Sequence, residues 1–193
     1  SLDGFKKAFQ NHLPNSEFFY AVKVNHHPAI IKEAIKYGFG LDVSSSRELK
    51  IGLSCGGKKF IFSGPGKTAD DLTLALRHSD KVIVNIDNFS ELERLGKLAA
   101  KHKKTIQAGV RIYPKQYGEW SKFGISLGKL KRFFNEAEKY PEIKLRGIQC
   151  HISLNADSSP YIEVIKDLNA YLKNNFSKKH LEQIKFIDLG GGF

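Results

Sequence analysis

Phe18-Phe19-Tyr20-Ala21-Val22-Lys23-Val24-Asn25 is a run of aromatic and β-branched residues broken by a single lysine, and the reading of that lysine decides the fold. Such a run is a strand signal. The two-residue alternation of a strand puts Lys23 on one face with Phe19, Ala21 and Asn25 and leaves the opposite face apolar. A parallel strand covered on both sides should be apolar throughout. The lysine therefore marks either an exposed edge or a chemical site.

Working outward, six further runs of the same kind occupy residues 39–44, 59–63, 81–86, 107–113, 147–153 and 186–189. Helical periodicity fills the gaps between them. Ile30, Ile31, Ala34 and Ile35 mark one helix that closes at Gly38; Leu92, Leu95, Leu98 and Ala99 mark another. Tyr161, Ile162, Ile165, Leu168, Tyr171 and Leu172 form the longest apolar stripe, expected to pack on a sheet. Ser45-x-x-Glu48, Thr68-x-x-Asp71 and Ser90-x-x-Glu93 each place a capping hydroxyl three residues before a carboxylate. Strands alternating with helices imply an α/β fold of parallel units, either an open doubly wound sheet or a (β/α)8 TIM-type barrel. Seven strands are one short of barrel closure, so the expectation is an incomplete barrel with about seven β/α units in one domain over residues 1–193. The ending Asp188-Leu189-Gly190-Gly191-Gly192-Phe193 falls at a turn just after a strand, which reads as a piece of a longer protein.

Polar residues recur where these strands end. Asp42 and Ser44 share a face, Ser63 and Asn85 end the third and fourth runs, and Arg111 and His151 follow in the fifth and sixth. In a β/α barrel those ends form the catalytic face. A lysine among apolar neighbours loses solvation of its ammonium form, which favours attack on an aldehyde to form a Schiff base. Asp42 can balance its charge, Arg111 offers a fixed cation, and His151 can stack on a planar ring. Gly190-Gly191-Gly192 after a strand lets backbone amides approach a phosphate. Each feature alone has a plainer explanation: an edge lysine, a helix-capping aspartate paired with Arg111, a structural histidine, a flexible turn. Their joint placement favours the site.

Composition removes other classes. At 193 residues and 41% hydrophobic the chain can bury a substantial core, and it contains no apolar run of the roughly 20 residues a membrane helix needs. With no leader-like start, a cytoplasmic location is expected. Cys55 and Cys150 are isolated and the seven histidines show no ligand spacing, so no metal is expected. The net charge of +11 is dispersed without interleaved aromatics, so no nucleic-acid partner is expected. Gly64-Pro65-Gly66-Lys67-Thr68 ends like a phosphate-binding loop, but Ile61 stands where its first glycine belongs, and it reads as a tight turn before a helix. Gly38-Phe39-Gly40 lacks the third glycine of a dinucleotide fingerprint.

The ordered set Tyr20-Ala21-Val22-Lys23-Val24-Asn25, Gly40-Leu41-Asp42-Val43-Ser44-Ser45 with Glu48-Leu49, Ser63-Gly64-Pro65-Gly66-Lys67-Thr68, Ser121-Lys122-Phe123-Gly124 and Gly190-Gly191-Gly192-Phe193 spans nearly the whole chain. It resembles the pyridoxal-phosphate-dependent decarboxylases of diaminopimelate, ornithine, lysine and arginine that share an alanine-racemase-like barrel. The resemblance implies that Lys23 carries pyridoxal 5'-phosphate, that His151 stacks on its ring, and that Gly190, Gly191 and Gly192 contact its phosphate. Asp42 and Arg111 would line the same pocket. Where the family has His-x-Gly-Ser, this chain reads His151-Ile152-Ser153-Leu154, which leaves Ser153 as the nearby phosphate-binding hydroxyl. The resemblance further implies a small amino-acid substrate, a homodimeric parent, and a β-rich second domain beyond Phe193, without which the piece is expected to be inactive. Racemases of this fold continue the lysine motif with Ala-Tyr-Gly, whereas Lys23 is followed by Val24-Asn25-His26-His27. A racemase and a non-catalytic cofactor-binding relative are the alternatives.

Overall fold

All seven expected strands form, and all are parallel. The computed structural model describes residues 2–113, 122–152 and 158–191. In chain order the elements are α1 (Leu2–Gln10), β1 (Phe19–Ala21), α2 (Pro28–Lys36), β2 (Gly40–Val43), α3 (Ser46–Ser54), β3 (Phe60–Phe62), α4 (Ala69–Arg77), β4 (Val82–Ile86) and α5 (Phe89–His102). The second half comprises β5 (Ile106–Tyr113), β6 (Ile125–Ser126), α6 (Leu130–Ala137), β7 (Ile143–Cys150), α7 (Ser159–Asn175), α8 (Lys178–Gln183) and β8 (Phe186–Asp188). The strands pair in the order β1-β2-β3-β4-β5-β7-β8, with the short β6 attached to β5. Among the described residues β1 and β8 do not pair, so the sheet is an unclosed β/α barrel.

Strand alternation sorts the side chains. Leu41, Val43, Phe60, Phe62, Val84, Ile86, Val110 and Ile148 face the helices and are essentially inaccessible. Burying each such Leu, Val, Ile or Phe contributes about 1.5–3 kcal/mol relative to exposure. The helices present matching faces: Ile31 and Ala34 from α2, Leu72, Ala75 and Leu76 from α4, Leu92, Leu95 and Ala99 from α5.

Helix starts follow side-chain caps. Ser45 accepts from the Glu48 amide and Thr68 forms a reciprocal capping box with Asp71, as the spacing predicts. The third expected cap is displaced. Asn88, not Ser90, caps α5 by accepting the Glu91 amide at 2.9 Å, so that helix starts at Phe89. An asparagine cap is at least as good as a serine, and it comes first.

Other boundaries also move. β1 stops at Ala21, short of Lys23, because the Val24 amide turns back to the Ala21 carbonyl at 3.1 Å. β7 begins at Ile143, four residues before the expected start of the run at Gly147, where exposed Lys144 and Arg146 dilute the apolar signal. α7 buries Tyr161, Val164 and Leu168, while Ile162 and Ile165 remain 48% and 44% exposed. The expected stripe was too wide for one docking face. α6 fills the expected gap between the fifth and sixth runs, whereas α1, the second helix α8 before the last strand and the two-residue β6 are additions. No described helix is long and apolar enough to cross a membrane.

Candidate cofactor site

The face of the sheet turned away from the helices encloses a trough of about 1290 Å³. Lys23, Asp42, Arg111, His151, Gly190 and Gly191 all line it, at or just beyond the C-terminal ends of their strands. Six of the expected site residues are thus brought together; Ser153 and Gly192 lie outside the described residues. Parallel strands make this convergence possible, since all their C-terminal ends lie on one rim.

Lys23 sits one residue past the last strand-like contact, in which the Val22 amide donates to the Asp42 carbonyl at 2.9 Å. Its side chain is exposed at the rim, not held among apolar neighbours as the sequence implies, because the chain leaves the sheet before reaching it. Asp42 is half-buried in the trough wall, and its partial removal from water pushes its carboxyl up to about 6. The Ser63 hydroxyl donates to it and the Lys23 charge also draws it down, while nearby Asp188 and Glu48 push it up.

Arg111 lies across the trough. Its nearest carboxylate is Asp87, at 3.9 Å, and its guanidinium rests 5.3 Å from the centre of the Phe123 ring. Asp87 also accepts the Gly124 amide at 3.0 Å. The pairing of Arg111 with Asp42 that sequence allows is therefore replaced by one with Asp87. His151 is half-buried. Burial, then the charges of Arg111 and Lys23, hold its imidazole below the ordinary value, so the ring is neutral at neutral pH.

Gly190 has φ +74°, and a Cβ there would stand 2.5 Å from the His151 Nδ1 atom. Only glycine allows the loop to lie this close to the ring. At Gly191 a Cβ would meet nothing within 4 Å, so this part of the loop faces open space. The Gly190 amide donates to Asp188 at 2.8 Å, and Asn85 donates to the other oxygen of the same carboxylate at 2.8 Å. Burial raises Asp188, while the two hydrogen bonds and the Arg111 charge lower it.

Sequence reading missed Asp188 and Gln149 as trough residues. Asp188 follows Phe186 at strand spacing and shares its face, so alternation alone would have found it. Gln149 is buried in the trough wall with its Oε1 atom unpartnered among the described residues. An amine, a neutral flat imidazole, a fixed guanidinium and a glycine loop that a Cβ would jam against His151 are groups that would suit a planar aldehyde bearing an anionic group.

Comparison with known proteins agrees with this chemistry. The model of the family described as pyridoxal-dependent decarboxylase, pyridoxal binding domain, matches residues 4–193. The chain belongs to that family. The diaminopimelate decarboxylase of Aquifex aeolicus is 30% identical to this pyridoxal binding domain over 99% of the chain and 47% of its own length. That of Neisseria meningitidis serogroup A is 33% identical over 90% of the chain and 45% of its own length. The crystal structure of diaminopimelate decarboxylase from Helicobacter pylori complexed with L-lysine superposes with a TM-score of 0.85 at 26% identity, covering 100% of this chain and 52% of that one. The pyridoxal binding domain thus spans about half the length of the relatives it matches.

Within this pyridoxal binding domain, the Gly64-Pro65-Gly66-Lys67 segment is a turn before α4, as its sequence predicts. Its lysine is not a solvated turn residue. Lys67 is 2% exposed and pairs with the equally buried Glu91 at 2.9 Å.

Proposed function

We propose that this chain binds pyridoxal 5'-phosphate covalently at Lys23 and forms the cofactor-binding half of a decarboxylase acting on a diamino acid of the diaminopimelate type. The convergence of Lys23, Asp42, Arg111, His151 and Gly190 on one rim carries the reading. Family membership supplies the cofactor, and the relatives' names supply the substrate class.

When bound, the cofactor provides the electron sink that makes loss of an α-carboxylate feasible. The chain's residues supply the rest. Lys23 would hold the cofactor through its amine, and that amine, exposed at the rim, is the group placed to move a proton there. Asp42 keeps a carboxyl beside the Lys23 charge. Neutral His151, its position limited on one side by Gly190, would lie against the cofactor's ring. Arg111, balanced by Asp87, holds a positive charge across the trough. Gly191, together with Gly192 and Ser153 as assigned from sequence, takes the phosphate.

The substrate is a small amino acid, and the protein that works on it is a cytoplasmic homodimer. Because the chain spans about half of its relatives, these 193 residues alone are expected to decarboxylate negligibly. The racemase alternative loses ground because the matched family is one of decarboxylases.

Titration with pyridoxal phosphate, borohydride reduction and peptide mapping test the reading. A new absorption band and a label on the peptide containing Lys23 are expected, with neither in Lys23→Ala. A label on another lysine of the folded chain would overturn it.

A further inference from the structure

The Lys67–Glu91 pair lies outside the trough lining and has no part in the function proposed above. Lys67 donates to Glu91 Oε1 at 2.9 Å and to the Asn85 carbonyl at 2.7 Å, and its ammonium lies 5.4 Å from the centre of the Phe62 ring. Glu91 Oε1 also accepts the Asp87 amide at 3.4 Å, while Oε2 is buried without a hydrogen-bond partner among the described residues. Burial draws Lys67 down and pushes Glu91 up, the cost of removing both charges from water. An apolar pair of similar volume is often at least as stable. What this pair adds is fixed geometry.

The geometry it fixes is the turn from β4 into α5. One backbone group of that turn on each side of Ile86 is gripped: the carbonyl of Asn85 and the amide of Asp87. The side chains of those two residues lead to opposite flanks of the trough. Asn85 holds Asp188, which holds the Gly190 amide; Asp87 faces Arg111 and takes the Gly124 amide.

We infer that Lys67 and Glu91 are positioning residues that set both flanks of the cofactor site through the β4–α5 turn, one through Asn85 to the glycine loop and one through Asp87 to Arg111. The inference rests on the cofactor-site reading for its ligand, but not for its geometry. Lys67 and Glu91 touch neither flank directly. They act by fixing where Asn85 and Asp87 stand.

The test uses the full chain with Lys67→Met/Glu91→Leu, which replaces the pair by apolar side chains, together with Asn85→Ala and the combination of all three. Two quantities are read: the Kd for pyridoxal phosphate, and hydrogen exchange at the Gly190 amide without ligand. Each set alone is expected to weaken binding by at least about tenfold and to speed Gly190 exchange, while the combination goes little further than the larger of the two. A folded Lys67→Met/Glu91→Leu protein with unchanged Kd and unchanged Gly190 exchange overturns the inference, as do strictly additive effects. If Lys67→Met/Glu91→Leu does not fold, Glu91→Asp serves instead. It keeps a carboxylate for the Lys67 charge but is one carbon too short to hold Lys67 and the Asp87 amide, already 3.4 Å away, in the same places. At least one readout should therefore move by about threefold or more, and a folded Glu91→Asp chain with both unchanged overturns the inference. If the unsubstituted chain binds no pyridoxal phosphate, the proposed function fails, and Gly190 exchange still decides this inference.

Discussion

The two faces of the sheet are built from the same strands and obey opposite rules. On the helix side, Leu41, Val43, Phe60 and Phe62 are inaccessible and purely apolar. One residue away along the same strands, Asp42, Ser63, Asn85, Arg111, Gln149 and Asp188 turn into the barrel interior, where they are at least half-buried and two of them, Asn85 and Gln149, keep a buried side-chain oxygen with no hydrogen-bond partner among the described residues. The helix side holds the fold together. The trough side spends stability to hold charges and donors in place.

The largest effect is expected on the helix side. Phe60 packs so tightly over Gly52 and Gly57 that a Cβ on either glycine would stand within 2.7 Å of its ring. Phe60→Ala should cost about 3–5 kcal/mol, measured by urea unfolding. A loss below about 1 kcal/mol would remove the contrast between the faces.

The opposite sign is expected at Asp42. Its folded carboxyl titrates at about 6 against an ordinary 3.8, so between those values the native state keeps a proton that the unfolded chain releases. Stability contributed by this group is therefore lost as pH rises from about 4 to 6. Asp42→Asn should stabilise the chain by about 1–3 kcal/mol at pH 7 and by little at pH 4, while weakening cofactor binding. Equal effects of the substitution at both pH values would contradict the assignment of Asp42 as a costly trough residue.

Gly190→Ala comes next. Forcing a Cβ into a left-handed residue costs about 1–2 kcal/mol, and here it also pushes His151 aside. Cofactor affinity should fall more than stability. Smallest of all, Ile162→Ser on the exposed side of α7 should change unfolding free energy by no more than about 0.5 kcal/mol. A larger loss would show that this side of α7 is covered.

Much of the architecture was legible because β-branched and aromatic runs are local signals. So are hydroxyl caps, and Ser45 and Thr68 stand where they were expected. The two-residue β6 carries no periodicity to read. α7 went astray because apolar content does not reveal which part of a helix meets the sheet; Val164, omitted from the expected stripe, is buried where Ile162 is not. At the site, the residues named from the strand ends do converge. Lys67 was dismissed with its turn because burial of a lysine depends on a carboxylate 24 positions away, which no window of sequence displays. Asp87 was missed for a similar reason, its partner Arg111 lying on the next strand.

Strand length adds a last consequence. β5 and β7 are eight residues each and pair along nearly their whole length, whereas the two margins, β1 and β8, are three residues each. The sheet thus has a stiff spine and soft covers. Lys23 follows one cover and the glycine loop follows the other. Opening motions should concentrate at these margins, where few ladder bonds must break, with the slowest-exchanging amides along β5 and β7. The residues assigned to the cofactor are thus divided between lightly laddered strands, which lead to Lys23 and the glycine loop, and the stiff spine, which carries Arg111 on β5 and His151 just past β7.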